Sequence, residues 1–170
     1  MPIRHACRDD LAAVVDIYNA SIPGRMATAD TAPVSVESRE DWFRAFDPAS
    51  RPLWVFEEGG AVRGWLGLRS FYGRPAYHRT VESAVYVAPD ARGRGIARTL
   101  LGHALAACPS LGIRNVLAFV FAHNAPSIAL FEARGFSRWG LLPGVCELDG
   151  VERDVVILGW RGEAVESGHA

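Results

Sequence analysis

One stretch of the sequence, residues 81–101, limits most strongly what this chain can fold into. It reads V-E-S-A-V-Y-V-A-P-D-A-R-G-R-G-I-A-R-T-L-L: an apolar strand, a short break, a turn of Gly and Arg, and an apolar helix. Unpaired N–H groups at a helix start attract anions, and glycines let a ligand approach the backbone closely. The segment therefore predicts a pocket for a phosphorylated molecule, with the carboxylate of Glu82 on the strand that leads into it.

Length, charge and cysteine usage limit the domain organisation, the partners and the location that we expect. The chain has 170 residues and a net charge of -1, and all of its basic residues are Arg. We expect one domain over residues 1–160 and a disordered polar tail over 161–170. Without a basic surplus, nucleic acid is not an expected partner. No apolar run reaches the roughly 20 residues of a membrane span, and no signal-peptide core is visible, so we expect a cytoplasmic protein. Three widely spaced cysteines indicate neither disulfides nor a metal site.

Hydrophobic periodicity predicts the order of elements. We expect strands at residues 3–7, 53–56, 62–68, 81–87, 116–122, 145–148 and 151–158. Helices are expected after Asp9 or Asp10, over residues 35–46 with Ser38 and Asp41 as a capping box, from Ile96 to Cys108, and after Asn124. Residues 21–34 read as a loop. This order predicts an α/β (α+β) fold, a mixed sheet with helices on both faces.

The Gly/Arg turn fits neither of two common phosphate motifs. G-x-x-x-x-G-K-[ST] needs a Lys, which the chain lacks, and G-x-G-x-x-G needs Gly where Arg98 stands. The frame V-Y-V-x-P-x-x-R-G-R-G-I-A-x-x-L-L instead resembles the signature of the GNAT acetyltransferase superfamily. Its R/Q-x-x-G-x-G/A turn is matched by Arg92, Gly95 and Ala97.

This resemblance implies a single-domain, mostly antiparallel GNAT-like sheet and acetyl-CoA as co-substrate, with no metal. Residues implied to contact the cofactor through the strand backbone are Val85, Tyr86 and Val87. Those implied to cradle its pyrophosphate are Arg92, Gly93, Arg94, Gly95, Ile96, Ala97 and Arg98. Asn124 matches a later Asn that contacts pantetheine, and it is equally suited to cap the following helix; both roles are compatible.

A narrower resemblance covers the acceptor side. R-P-A-Y-H-R-T-V-E-S-A-V-Y-V, residues 74–87, is similar to the corresponding segment of phosphinothricin and methionine sulfoximine acetyltransferases, as is D-L-A-A-V-V-D-I-Y-N, residues 10–19. It implies acetyl transfer to the primary amine of a small amino acid or analogue, and by family analogy a homodimer. The implied substrate-binding residues are Arg74, Tyr77, Glu82, Ser83 and Ala84.

The resemblance implies that Glu82 is the general base, directly or through a water molecule. An alkyl amine with a pKa of about 10.4 is protonated at neutral pH, so a group that accepts its proton is useful. An alternative is that Glu82 simply binds an Arg from a neighbouring strand. Arg74 is a candidate clamp for an acceptor carboxylate, or else a solvated surface residue. Arg92, Arg94 and Arg98 either face phosphates or lie on the solvent side of the turn.

Three positions differ from the residues typical of the phosphinothricin and methionine sulfoximine acetyltransferases. Ala29 stands where they tend to have an aromatic residue, Phe131 replaces a titratable His or Tyr, and Glu152 replaces Trp. We expect from these changes a larger or more cationic amine than phosphinothricin. Two other functions stay open at this point, a non-catalytic acyl-CoA-binding module and a protein or peptide N-acetyltransferase.

Overall fold

The computed structural model describes residues 2–163 of the chain. The strands are β1 (Ile3–His5), β2 (Leu53–Glu58), β3 (Ala61–Ser70), β4 (Thr80–Val87), β5 (Asn115–Phe121), β6 (Ser137–Leu148) and β7 (Val151–Arg161). The helices are α1 (Leu11–Ser21), α2 (Glu40–Arg44), α3 (Ile96–Ala107) and α4 (Ala125–Glu132). Short 3₁₀ turns occur at Arg8–Asp10, Glu37–Arg39, Pro75–Tyr77 and Pro89–Ala91.

The strands form one sheet in the order β1-β2-β3-β4-β5-β7-β6. Every neighbouring pair is antiparallel except β4 and β5, which run parallel. The crossover between these two strands contains α3, as expected for a parallel connection. The predicted fold class, a mixed and mostly antiparallel sheet, is confirmed.

The period of two along β3 assigns helices to the two faces of the sheet. Trp65 donates its indole N–H to the carbonyl of Val14 in α1, at 3.1 Å. Gly64 points the other way, where a Cβ would meet Ile96 and Leu100 of α3 at 3.0 and 3.4 Å. Helices therefore cover both faces, and consecutive residues of a central strand serve opposite layers.

The predicted helix over residues 35–46 is wrong in extent. Only Glu40–Arg44 is α-helical, after the 3₁₀ turn Glu37–Arg39. The hydroxyl of Ser35 accepts the N–H of Ser38 at 3.1 Å, and the carboxylate of Asp41 binds Arg44, so the expected capping box does not form. Side chain-to-backbone bonds of this kind compete with a regular helix start.

The last hairpin differs in length from the prediction. β6 begins at Ser137 rather than at residue 145, and register shifts interrupt its pairing with β7 between Arg138 and Gly140 and between Leu142 and Cys146. Such bulges break the alternation on which the prediction depends. β7 extends to Arg161, one residue past the predicted domain boundary, and residues 164–170 of the predicted tail lie outside the described residues. Within residues 2–163, no helix has the length and apolar character to cross a bilayer.

Candidate active site

A cleft opens where β4 and β5 stop pairing. Across residues 2–163 their register pairs run from Thr80–Asn115 to Glu82–Leu117 and go no further. The hydroxyl of Ser83 donates to the carbonyl of Leu117 at 3.2 Å, which fixes the point of separation. Beyond it, the β5-facing edge of β4 has backbone groups that are free to bind a ligand. This parting of two strands of one sheet makes a site for an extended molecule.

We call this site the cleft. Its inner part, about 120 Å³, includes Glu82, Ser83, Ala84, Ala118, Phe119 and Phe131 in its lining. Its outer part, about 510 Å³, includes Val87, Arg92, Ala97, Pro126 and Leu130. Both parts share Val85, Tyr86 and Asn124. The cleft thus runs from Glu82 to the Gly/Arg turn, and the structure brings together most of the cofactor-binding residues that the sequence predicts.

The Gly/Arg turn is built for an anion. Gly93 and Gly95 have φ of 73° and 79°, a left-handed conformation that favours glycine. Thr99 is the first residue of α3 whose N–H finds an acceptor in its own helix, the carbonyl of Gly95 at 2.9 Å. The preceding N–H groups of residues 96–98 have no such acceptor, and the helix dipole adds positive potential there. The turn therefore fits a pyrophosphate.

The three arginines of the turn have different environments. Arg92 lines the outer cleft. Arg94 reaches to β2 instead, where its guanidinium binds both carboxylate oxygens of Glu58 at 2.7 Å. The carbonyl of Arg98 accepts the guanidinium of Arg134 at 2.9 Å. The sequence left open which arginines face phosphates, and the structure places only the Arg92 side chain in the lining of the cleft.

Asn124 caps α4, as the sequence indicated. Its side-chain oxygen accepts the N–H of Ser127 at 3.2 Å, and its amide donates to the carbonyl of Met26 at 2.8 Å. The second bond fixes the 21–34 loop against the outer cleft. A contact from Asn124 to pantetheine stays a prediction.

A second site, the aromatic cavity, lies on the α1 and α2 face of the sheet and has a volume of about 240 Å³. Its floor consists of three cross-strand pairs of β3 and β4: Trp65–Tyr86, Gly67–Ala84 and Arg69–Glu82. Its walls include Val14, Tyr18, Val34, Arg39, Trp42 and Phe46. An aromatic pair, a small pair and a charged pair follow one another along the floor, and Phe46 packs directly over Gly67 of the small pair, where a Cβ would lie 2.9 Å from its ring.

Glu82, Ala84 and Tyr86 line both the cleft and the aromatic cavity. Burial raises the pKa of the Glu82 carboxyl above its ordinary value, and the positive charge of Arg69 partly opposes this. Glu82 is nevertheless exposed to solvent, so its desolvation is only partial. A carboxylate with a raised pKa at the junction of two sites is placed to accept a proton from one ligand beside another.

Two tyrosines hold the end of the aromatic cavity opposite Glu82. Tyr86 donates its hydroxyl to the carbonyl of Ala27 at 3.2 Å, and burial raises its pKa. Tyr18 packs edge-on against Tyr86 and donates to Asp30, and burial likewise raises its pKa. Arg39 lies over the Tyr18 ring and binds Asp30 at 3.1 Å. Both phenols therefore stay protonated at neutral pH and act as hydrogen-bond donors.

Some predicted acceptor residues lie elsewhere. Arg74 and Tyr77 line a separate cavity with Arg51 and Phe71 on the β3–β4 connection, and within this chain they do not reach the aromatic cavity. Ser83 lines the cleft instead, and its hydroxyl donates a hydrogen bond to the carbonyl of Leu117. Of the predicted substrate-binding residues, Glu82 and Ala84 are the two in the lining of the aromatic cavity.

The structure places the three positions that differ from the relatives in different surroundings. Phe131 is 3% exposed and lines the inner cleft, so no titratable group occupies that position. Ala29 and Glu152 are exposed and do not belong to the lining of the aromatic cavity. The structure therefore gives no support to the expectation that these two residues select a cationic amine. In residues 2–163 we find no cluster of His, Cys, Asp and Glu suited to a metal ion.

Sequence reasoning missed several residues of the aromatic cavity. Arg39, Trp42 and Arg69, which line this cavity, were not among the predicted site residues. A signal existed in β3, because W-L-G-L-R alternates and places Trp65, Gly67 and Arg69 on one face. What the sequence did not supply was the register that puts Arg69 opposite Glu82.

Comparisons with known proteins agree with this geometry. Residues 12–136 match the sequence profile described as "Acetyltransferase (GNAT) family". The "Putative phosphinothricin acetyltransferase YwnH" of Bacillus subtilis is 50% identical, covering 94% of this chain and 98% of that protein. An "L-methionine sulfoximine/L-methionine sulfone acetyltransferase" of Salmonella typhimurium is 31% identical, covering 85% of each chain. The solved structure of a "GNAT superfamily phosphinothricin acetyltransferase (Pat)" of Sinorhizobium meliloti "in complex with AcCoA" has a TM-score of 0.88 and 31% identity, covering 95% of this chain and 89% of the other.

Proposed function

Because this chain belongs to the GNAT acetyltransferase family, we propose that it is an N-acetyltransferase that transfers the acetyl group of acetyl-CoA to the primary amine of a small amino acid or amino-acid analogue. The observation that carries the proposal is the position of Glu82, whose side chain lines both the cleft and the aromatic cavity. Relatives named for phosphinothricin and methionine sulfoximine support the acceptor class.

The residues of the cleft fit acetyl-CoA, which supplies an activated acetyl thioester. The N–H groups of residues 93–98 hold the pyrophosphate, with Arg92 beside them. The free edge of β4 at residues 85–87 binds the pantetheine arm through backbone hydrogen bonds. An N–H of the same edge is also placed to stabilise negative charge on the reacting carbonyl oxygen.

Glu82 accepts the proton that the acceptor ammonium must lose, directly or through a water molecule. Removing the proton from an ammonium group with a pKa of about 10.4 costs roughly 4–5 kcal/mol at neutral pH, so a positioned base lowers a substantial barrier. The raised pKa of Glu82 brings its basicity closer to the working pH. Tyr18 and Tyr86 stay protonated, and because their hydroxyl protons are donated to Asp30 and to the carbonyl of Ala27, they hold the far end of the aromatic cavity in place.

An amine screen tests the proposal. Purified protein with acetyl-CoA is offered α-amino acids, methionine sulfoximine, phosphinothricin and simple amines, and thiol release is followed. We expect turnover with one or more amino acids. Binding of acetyl-CoA without thiol release for any amine would instead identify a non-catalytic acyl-CoA-binding module. Acetylated peptides found by mass spectrometry, with no small-molecule product, would identify a protein N-acetyltransferase.

The proposal includes a cytoplasmic homodimer. Cys7, Cys108 and Cys146 are free thiols, which suits a reducing compartment. β6 is an edge strand that exposes Trp139, Leu141 and Val145, at 47%, 57% and 58%. Edge strands with exposed apolar residues associate readily, so this strand is the candidate contact with a second copy.

A further inference from the structure

Arg69 and Glu82 carry opposite charges on neighbouring strands, and yet they form no ion pair. They face each other across β3 and β4 and line the same cavity. Arginines elsewhere bind carboxylates closely, as Arg94 does with Glu58 and Arg4 does with Asp10. Throughout residues 2–163, by contrast, neither Arg69 nor Glu82 has an ion-pair partner within 4.0 Å or a side-chain hydrogen bond. Two opposite charges are thus presented side by side to the cavity.

The spacing of this pair suits one kind of molecule. Side chains directly opposite in an antiparallel pair have Cβ atoms about 4.5–5.5 Å apart and point to the same face. An α-amino acid carries its ammonium and carboxylate on a single carbon, so the two groups reach two neighbouring side chains of opposite charge. The fork of an arginine also matches a carboxylate with two parallel hydrogen bonds.

The other cationic candidates are occupied or distant. Arg39 lines the aromatic cavity, but it already binds Asp30 and lies over the rings of Tyr18 and Trp42. Arg74 lines the separate cavity on the β3–β4 connection. This leaves Arg69 as the guanidinium available beside Glu82 in the described part of the chain.

The remainder of the aromatic cavity indicates what the acceptor's side chain is like. Ala84 lines the cavity next to the charged pair with a small side chain, and Phe46 packs directly over Gly67, where a Cβ would lie 2.9 Å from the Phe46 ring. Trp42 and Trp65 are packed edge-on to each other at 5.6 Å between ring centroids. These surfaces favour an apolar or weakly polar side chain over a charged one.

We propose that Arg69 binds the α-carboxylate of the acceptor and thereby presents its α-amine to Glu82, which makes this enzyme selective for α-amino acids with apolar or weakly polar side chains. This inference rests on the proposed function and deepens it. Arg69 acts here as a specificity-determining residue, whereas Glu82 removes the proton. An amine without an adjacent carboxylate lacks one of the two anchoring interactions.

The test compares Arg69→Gln with Arg74→Gln, the rival clamp, and with Arg44→Gln, an exposed arginine of α2 whose side chain is 72% accessible. Each variant is assayed with L-methionine sulfone, with the best α-amino acid of the screen, and with the α-carboxamide of each. For Arg69→Gln we expect the KM of the amino acids to rise about 10- to 100-fold, the loss expected for a charge-assisted hydrogen-bonded contact. The KM of the carboxamides and of acetyl-CoA should change less than about threefold.

Further measurements separate this role from a structural one. Relative to Arg69→Gln, Arg69→Lys should lower the KM of the amino acid part of the way back to the wild-type value and leave the KM of the carboxamide unchanged, because Lys restores the charge without the fork. If the wild type acetylates amino acids while Arg69→Gln keeps its KM, or Arg74→Gln alone loses it, the Arg69 assignment is overturned and the proposed function stands. If the wild type acetylates only amines without a carboxylate, or no amine at all, the proposed function is wrong, and so is the assignment of Arg69 as the carboxylate-binding residue.

Discussion

At the scale of single residues, Glu82 has the most consequential position. It lines both the cleft and the aromatic cavity, as Ala84 and Tyr86 also do, and partial desolvation raises the pKa of its carboxyl. The alternative was that Glu82 simply binds an Arg of a neighbouring strand. Arg69 lies opposite Glu82, but no ion pair within 4.0 Å joins the two side chains. A carboxylate left without a partner in such a position is suited to catalysis rather than to stability.

Glu82→Gln removes the base while preserving shape. We expect kcat/KM for the best amino acid to fall about 10²- to 10⁴-fold at neutral pH, the usual contribution of a general base. The acidic limb of the wild-type pH profile should lie above the ordinary carboxyl pKa, because activity needs the ionised form and burial raises the pKa. Steady-state kinetics across pH measures both.

The control is Glu147→Gln, an exposed carboxylate of β6. It should keep both the rate and the pH profile of the wild type.

The same carboxyl affects stability. Burial disfavours the ionised Glu82, so the native state binds its proton more tightly and the free energy of unfolding decreases as pH rises through the raised pKa. Glu82→Gln should therefore melt at the same temperature as the wild type or higher near neutral pH. A fall in melting temperature with unchanged kcat/KM would assign Glu82 a structural role.

At the scale of elements, the start of α1 depends on Asp10. Its carboxylate accepts the N–H of Cys7 at 2.8 Å and two bonds from Arg4 at 2.7 and 2.9 Å, and it does not cap α1 directly. The Arg4 guanidinium lowers the pKa of Asp10 to about 2. Arg4 also binds Glu57, so this cluster joins β1, β2 and the 3₁₀ turn before α1.

Asp10→Asn should lower the free energy of unfolding by about 1–2 kcal/mol at pH 7, because Asn keeps the shape but loses the charge-assisted bonds, and Arg4 is partly solvated. The folded pKa lies below the ordinary value, so the wild-type contribution is complete above about pH 4 and disappears as pH falls toward about 2. Urea unfolding at pH 7 and under acidic conditions measures it. Asp41→Asn, at a 96% accessible side chain, should change nothing; an equal loss there would contradict the assignment.

The Gly/Arg turn is a second element whose backbone carries its role. Gly95→Ala places a Cβ on a residue with φ of 79°, where nothing lies within 4 Å but the conformation is strained by about 1–2 kcal/mol. We expect a lower melting temperature together with about a 5- to 30-fold higher KM for acetyl-CoA, because relief of strain distorts the N–H groups that hold the pyrophosphate.

The matched control is Gly59→Ala in the β2–β3 hairpin. Gly59 has φ of 62° and equally open surroundings, but it lies outside the lining of the cleft. It should lose stability and keep the KM for acetyl-CoA. Equal effects of the two substitutions on this KM would argue that the turn does not bind the pyrophosphate.

At the scale of the whole molecule, the two proposed ligand sites use different parts of one sheet. The cleft occupies the gap between β4 and β5, whereas the aromatic cavity lies over β3 and β4 on the α1 and α2 face. β4 contributes to both through residues 82, 84 and 86. In the proposed reaction, donor and acceptor therefore approach from different directions and meet at one strand.

The exposed strand β6 leads to a prediction about assembly. Leu141→Glu should shift a homodimer toward monomer, because a charge would replace an apolar side chain at the contact. Light scattering coupled to size-exclusion chromatography measures the mass. Tyr72→Glu, at an exposed aromatic residue outside β6, serves as the control. If Leu141→Glu leaves the mass of a dimeric wild type unchanged, β6 is not the contact.

Local patterns predicted much of this architecture. The segment of residues 81–101 forms β4, the turn and α3 almost as read, because alternation, glycine placement and helical spacing are properties of neighbouring residues. The resemblance to the GNAT signature supplied the family and the co-substrate. The helix over residues 35–46 was overestimated and β6 underestimated, because a side-chain cap at Ser35 and bulges in β6 depend on detailed backbone geometry.

The sequence by itself therefore determined the donor side of the site, whose groups are contiguous backbone amides and two glycines. Only the tertiary structure decided the acceptor side. Arg69 and Glu82 are brought together by the register of β3 against β4, and Trp42 and Phe46 reach them from a separate segment. Register and packing result from long-range pairing across the whole sheet, and this is why a sequence pattern selected Arg74 while the fold places Arg69 beside Glu82.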